Sequence, residues 1–233
     1  MVYRVTLYSY HYFYLWGYIR CSLGELFRCQ ASMSLAVDSF SCALGVLSRY
    51  PKILMPLLVP FVIHVVSAFT RLGFVGSALA SLLSFISYAV MVQALAFAVE
   101  GETIDVWAAW RKVSERLDDA IITSFLATLL ALTVILVPAA LYSIVVMVVD
   151  GEKPVKSIMK ALSFIIDNLK EVIVLLIVTI VVAVLAYILG AIIPLTGFIL
   201  FYALSLVISG LLCLAMAILY FVRAKKVSLK VFY

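Results

Sequence analysis

Apolar and polar residues separate at helical spacing over 154–170. Val155, Ile158, Met159, Leu162, Ile165, Ile166 and Leu169 fall on one side, and Lys156, Lys160, Asp167 and Lys170 on the other. A period of about 3.6 residues predicts a half-buried amphipathic helix. Pro154 suits its first turn, where the missing N–H costs nothing. Two further stretches carry the pattern, the first of them more weakly. Over 36–52, Val37, Phe40, Leu44 and Leu47 oppose Ser41, Ser48, Arg49 and Lys52. Over 100–119, Trp107, Trp110, Val113 and Leu117 oppose Asp105, Lys112, Glu115, Arg116 and Asp119. Tryptophan on the apolar side of such a helix fits a membrane interface.

Between and after these stretches lie five apolar runs: 53–70 with Pro56 and Pro60, 73–99, 121–149, 172–189 and 198–222. A hydrocarbon core of roughly 30 Å takes about 20 helical residues to cross. The chain is 67% hydrophobic and 12% charged, against about half and a quarter in soluble domains, so a soluble domain is excluded. The predicted fold is all-α: a polytopic transmembrane helix bundle of five apolar runs and five to six crossings, with interfacial amphipathic helices. The expected division is an aromatic N-terminal extension over 1–32, one helical membrane domain over 33–222 and a basic cytoplasmic tail over 223–233. The extension, with Tyr3, Tyr8, Tyr10, Tyr12, Phe13, Tyr14, Trp16 and Tyr18, has no signal-peptide layout. It reads as an interfacial segment, a short inserted segment, or a piece upstream of a natural start at Met33.

A net charge of +5 carried between and after membrane spans reports topology and anionic lipid rather than nucleic acid. If 121–149 were one span, the lysines of 150–170 and of the tail would lie outside. If it turns back near Pro138, the candidate helix break, every basic residue of the 17 except Arg71 lies inside, as cytoplasmic loops prefer. Against two full crossings stands length, since the run extends only about 44 Å as helix. A shallow re-entrant hairpin satisfies both.

Sliding the chain by fifty residues superposes Val99-Glu100-Gly101-Glu102 on Val149-Asp150-Gly151-Glu152. A slide of 118 places Ala43-Leu44 on Ala161-Leu162 and Lys52 on Lys170. The matches suggest a unit of amphipathic helix plus membrane helices used three times. The acidic-Gly turn, the helix reading Ser157-Ile158-Met159-Lys160-Ala161-Leu162-Ser163-Phe164, and Asn168-Leu169 leading into an aliphatic span resemble multi-pass prokaryotic membrane domains of unknown function. They are also similar to the membrane domain fused to some glycerophosphodiester phosphodiesterases. The resemblance, over roughly 36–222, implies a helical membrane bundle with cytoplasmic amphipathic helices. The phosphodiesterase activity of the fused proteins belongs to a separate soluble domain, so no catalytic residue carries over.

Chemistry is sparse. Cys21, Cys29, Cys42 and Cys213 form no CxxC pair, and no metal site, cofactor or catalytic residue is expected. Within the spans His64 and Gln93 are the candidate intramembrane polar residues, read as a backbone-bonded histidine and interhelical glue before any relay role. Asp118-Asp119 reads as a solvated helix end beside Arg116. The stripe Ser205, Ser209, Cys213 and Ala217 reads as a packing face. Lys156, Lys160, Lys170, Arg223, Lys225, Lys226, Trp107 and Trp110 are the candidate lipid- or partner-facing residues. The functional expectation is a non-enzymatic protein of the cell membrane, with amphipathic loops and C-terminus cytoplasmic, acting as a scaffold or binding anionic headgroups or a cytoplasmic protein. The alternative is a permease or channel along the proline-broken helices. A cavity reaching the midplane favours the second and a closed apolar interior the first.

Overall fold

The computed structural model describes residues 35–70, 73–133, 136–191 and 197–232, and the aromatic stretch 1–32 lies outside them. The described residues are helical and contain no strand. Nine α-helices follow in chain order: α1 (Leu35–Arg49), α2 (Leu58–Phe69), α3 (Gly73–Val99), α4 (Val106–Ser114), α5 (Leu117–Ala131), α6 (Val137–Asp150), α7 (Pro154–Asp167), α8 (Leu169–Ala191) and α9 (Gly197–Ala224). A 3-10 segment, Pro51–Leu57, leads into α2, and a second, Leu229–Phe232, follows α9.

The helices fall into three units of one plan: an amphipathic helix, an outgoing apolar helix and a returning one. The units are α1-α2-α3, α4-α5-α6 and α7-α8-α9. In each, the outgoing and returning helices pack side by side, α2 on α3, α5 on α6 and α8 on α9. The returning helices α3, α6 and α9 also pack on one another and form the centre. Each amphipathic helix lies across the hairpin of the unit before it. Thus α4 packs on α3 and the Pro51–Leu57 segment, α7 on α6 and α5, and α1 on α9 and α8, which closes the ring.

The joints carry the same regularity. Between amphipathic and outgoing helix, Tyr50, Arg116 and Asn168 take φ of −127°, −128° and −124°. The first and third joints both bend the chain by 93°. Their chemistry differs: Pro51 removes an N–H after Tyr50, whereas the Asn168 side chain donates to the Phe164 carbonyl at 2.9 Å and stops α7. After the returning helices, Gly101, Gly151 and Lys226 have φ of +82°, +66° and +56°, the left-handed conformation that ends helices. At Gly101 the Glu102 N–H reaches the Phe97 carbonyl at 2.8 Å, which satisfies one of the orphan carbonyls of α3.

The centre is close-packed because its residues are small where helices meet. Ala89 and Ala94 of α3, Ala139 and Ala140 of α6, and Ala215 and Ala217 of α9 are buried. A Cβ on Gly210 would come within 2.8 Å of Leu57. Where apolar surface gains nothing from lipid, such close approach supplies the van der Waals contact that holds helices together. The outer helices instead expose large apolar side chains: Val62, Val66 and Phe69 of α2, Ile122 and Phe125 of α5, and Ile173, Ile177, Ile180 and Val184 of α8.

Among the described residues, two helices are long and apolar enough to cross a membrane by themselves, over Val75–Val99 and Tyr202–Ala224, and up to four if each bent pair counts as one span. The predicted five runs are therefore redrawn. The 121–149 run is two helices, α5 and α6, of 15 and 14 residues, each only about 22 Å long. They reverse direction: a Cβ on Gly151, just after α6, would lie 3.1 Å from Nη1 of Arg116, just before α5. Pro138 is the second residue of α6, so the break precedes it. The slide by fifty aligns the glycine turns but not the helices behind them, since α4 has 9 residues and α7 has 14.

Candidate functional site

The third amphipathic helix divides its surface three ways. Pro154, Ser157, Ala161 and Phe164 of α7 are buried against the bundle. Val155, Met159, Leu162 and Ile166, on an adjacent stripe, are exposed. Lys156, Lys160 and Asp167 make the third face, also exposed. The expected two-sided helix thus has two apolar faces. Ile158 and Ile165 sit half-buried between them, and Leu169 continues the exposed stripe.

Of the expected lipid-facing cations, three turn inward to acids. Lys160 Nζ lies 2.6 Å from Asp150 Oδ2 and 3.6 Å from Glu152 Oε1. Lys225 Nζ lies 2.6 Å from Asp150 Oδ1, the Tyr220 hydroxyl donates to Oδ2, and Arg223 pairs with Glu171. The Asp150 side chain is only 4% exposed. Burial pushes its carboxyl up, but Lys160, Lys225 and Tyr220 outweigh burial and hold it below its ordinary value. The Lys160 ammonium is pushed up, chiefly by its hydrogen bond to Asp150. Beneath the cluster, Phe164 lies between Tyr142 and Tyr220, with ring centroids 4.9 Å from each. Lys160, Lys225 and Arg223, expected to face lipid or a partner, thus also pair with acids in a junction of α6, α7, α8 and α9. Sequence reading missed Asp150 because acid and lysines are distant in the chain.

The remaining candidates stand outward. Lys156, Lys170 and Lys226 are exposed and have no acid partner among the described residues. Trp107 and Trp110 of α4 are exposed, whereas Val113, expected on their side, is buried with Ala109 against the bundle. Asp118 is exposed and Asp119 pairs with Arg116 at 2.8 Å. Gln93 is half-buried in α3.

At the other end of the bundle a cavity of about 410 Å³ opens between the helices. Its polar lining is His64 of α2, Ser81, Ser84 and Tyr88 of α3, Thr128 of α5, and Tyr202, Ser205 and Ser209 of α9. Its position follows from helix length. The returning helix α6 has 14 residues where α3 and α9 have 27 and 28, so among the described residues no third inner helix fills the centre beyond Val137. Val137 and Leu141 line its floor. His64 stacks toward Tyr202 at a centroid distance of 5.5 Å. Ser205 and Ser209, expected to pack, line the void, while Cys213 and Ala217 below them are buried. Toward the amphipathic end the interior is closed by apolar residues, among them Met91, Leu95, Ile144, Val145, Leu214 and Ile218.

Among the described residues no group of three His, Cys, Asp or Glu side chains is placed to hold a metal ion. Compared with protein-family models, curated proteins and solved structures, the chain gave no match in any of the three. Nothing in them links it to the phosphodiesterase-fused membrane domain.

Proposed function

We propose that this is a non-enzymatic integral membrane protein whose three amphipathic helices form a collar in the cytoplasmic membrane–water interface and bind anionic headgroups or a cytoplasmic protein. The observation that carries the reading is the three-way surface of α7. A helix with one face on protein, an adjacent apolar face exposed and a third face bearing lysine suits the headgroup boundary, where all three environments meet. Exposed Trp107 and Trp110 suit the same level, and Lys156, Lys170 and Lys226 supply free positive charge, worth about 1 kcal/mol each near an anionic surface. In this reading α2, α3, α8 and α9 cross, while α5 and α6 enter from the collar side and return. The 3-10 segment and α2 together extend about 32 Å, enough for one crossing.

The test is spin labelling of the reconstituted protein. Labels at Met159 and Ile166 should collide with oxygen dissolved in the hydrocarbon, labels at Lys156 and Lys170 with a water-soluble nickel chelate, and one at Ala161 with neither. Equal nickel access at Met159 and Lys156 would reject the interfacial collar. A second reading, as a permease, has the cavity in its favour. The apolar residues below the cavity would have to part for a solute to pass.

A further inference from the structure

We propose that the cavity beyond the end of α6 is a binding site for a neutral, hydroxyl-bearing molecule. Its lining carries seven hydroxyls and one imidazole, and no Asp, Glu, Lys or Arg among the described residues. A charged ligand would therefore find no counter-charge in the described lining, a cost that buried ions do not sustain. The hydroxyls are not equivalent. Ser84, Thr128 and Ser209 donate their protons to the carbonyls of Ala80, Ser124 and Ser205, each at 2.8 Å. Ser209 also hydrogen-bonds the Tyr88 hydroxyl, whereas the oxygen lone pairs of Ser84 and Thr128 remain as acceptors for an O–H that the ligand brings. Ser81 and Ser205 donate to no carbonyl or side chain among the described residues, which leaves them free to donate to the ligand oxygen. An alcohol, donor and acceptor in one group, matches both sets. Phe85, Leu206 and Leu212 complete the lining, so carbon attached to that alcohol is accommodated as well. The volume is within the range of small-molecule sites, about 300–1,000 Å³. The site does not depend on the collar reading, because it lies in the opposite half of the bundle.

The alcohol can come from water or from lipid, and glycerol and dioleoylglycerol are the probes for the two sources. The full chain, with Cys21, Cys29, Cys42 and Cys213 replaced by alanine and carrying Ser205→Cys, is reconstituted in nanodiscs and treated with methyl methanethiosulfonate. The expected result is modification of that thiol, slowed at least five-fold by glycerol in the buffer or by dioleoylglycerol in the disc. Val184→Cys, on the outer face of α8, should be slowed by neither. Adding Ser81→Ala and Ser84→Ala, which removes hydroxyls without adding bulk, should abolish the protection while leaving the thermal midpoint within a few degrees. Slowing by neither probe, equal slowing at Val184→Cys, or protection that survives loss of the hydroxyls would each overturn the proposal. If Ser205→Cys fails to fold, Ser81→Cys with Ser84→Ala and Ser205→Ala as its hydroxyl deletions reads the same void from α3.

Discussion

Lys225, the first residue after α9, closes at 2.6 Å on Asp150, the last residue of α6. Where α3 and α6 end in acid and glycine, at Glu100-Gly101 and Asp150-Gly151, α9 ends in Lys225-Lys226. The third returning helix thus presents a cation to the acid of the second, and Lys160 brings α7 onto the same carboxylate. Removing the acid leaves two lysines that are 43–46% exposed and can turn to water, so the loss is that of charged hydrogen bonds rather than of a stranded buried charge. Asp150→Asn should lower stability by about 1–3 kcal/mol. Glu100→Gln, at the exposed counterpart, should change it little. Thermal unfolding in detergent checks this, and equal shifts for the two variants would contradict a stabilising role for the Asp150 junction.

The same junction sets a pH dependence with two edges. Burial raises the Asp150 carboxyl, the lysines and Tyr220 outweigh it, and the net shift is downward. Its contribution is therefore present above the ordinary carboxylate value of about 4 and disappears as pH falls through the lowered one. Lys160 is shifted upward, so its contribution is present below about 10.4 and disappears as pH rises beyond that. The gap in melting temperature between wild type and Asp150→Asn should be flat from about pH 5 to pH 9 and close in strong acid. A gap that peaks near neutral pH would implicate another group.

Much of the plan could be read from residue order, and the junction could not. Helical periodicity places α7 over 154–167, and the slide of 118 carries the end of α1 at Arg49 onto the end of α7 at Asp167. Counting basic residues anticipates that the chain reverses between Arg116 and Gly151. The roles of Lys160 and Lys225 escape the same reasoning, because an amphipathic pattern marks a polar face without saying whether an acid from another helix already occupies it. The cavity escapes for a different reason. Serines that bond back to their own helix look identical whether they pack or line a void, and only the shortness of α6 separates Ser209 from Cys213.

Lys226 occupies a backbone conformation that glycine fills at the two equivalent turns. With φ at +56° and a Cβ, it carries a strain of about 1–2 kcal/mol relative to glycine. Lys226→Gly should therefore raise the thermal midpoint, offset in part by the extra freedom of glycine in the unfolded chain. Gly101→Ala, at φ +82° with nothing within 4 Å of the new methyl, should lower it through backbone strain alone. A stabilising Gly101→Ala would show that the turns are not held in the left-handed region.

The sharpest consequence of the reversal between α5 and α6 concerns sides. The Arg116 guanidinium sits against Gly151, so Glu102, just before α4, and Lys153, just before α7, belong to one end of the bundle. In the proposed orientation that end is cytoplasmic. Cysteines introduced singly at Glu102 and Lys153, in a chain with Cys21, Cys29, Cys42 and Cys213 replaced by alanine, should both resist a membrane-impermeant maleimide in intact cells and both react once the membrane is opened. Reaction at both in intact cells would keep the hairpin and invert the orientation, placing the free lysines of the collar outside against the preference of basic residues for cytoplasmic loops. Reaction at Lys153 alone would require one continuous crossing from 121 to 149, incompatible with two helices of 15 and 14 residues lying side by side, and would remove the three-unit plan with it.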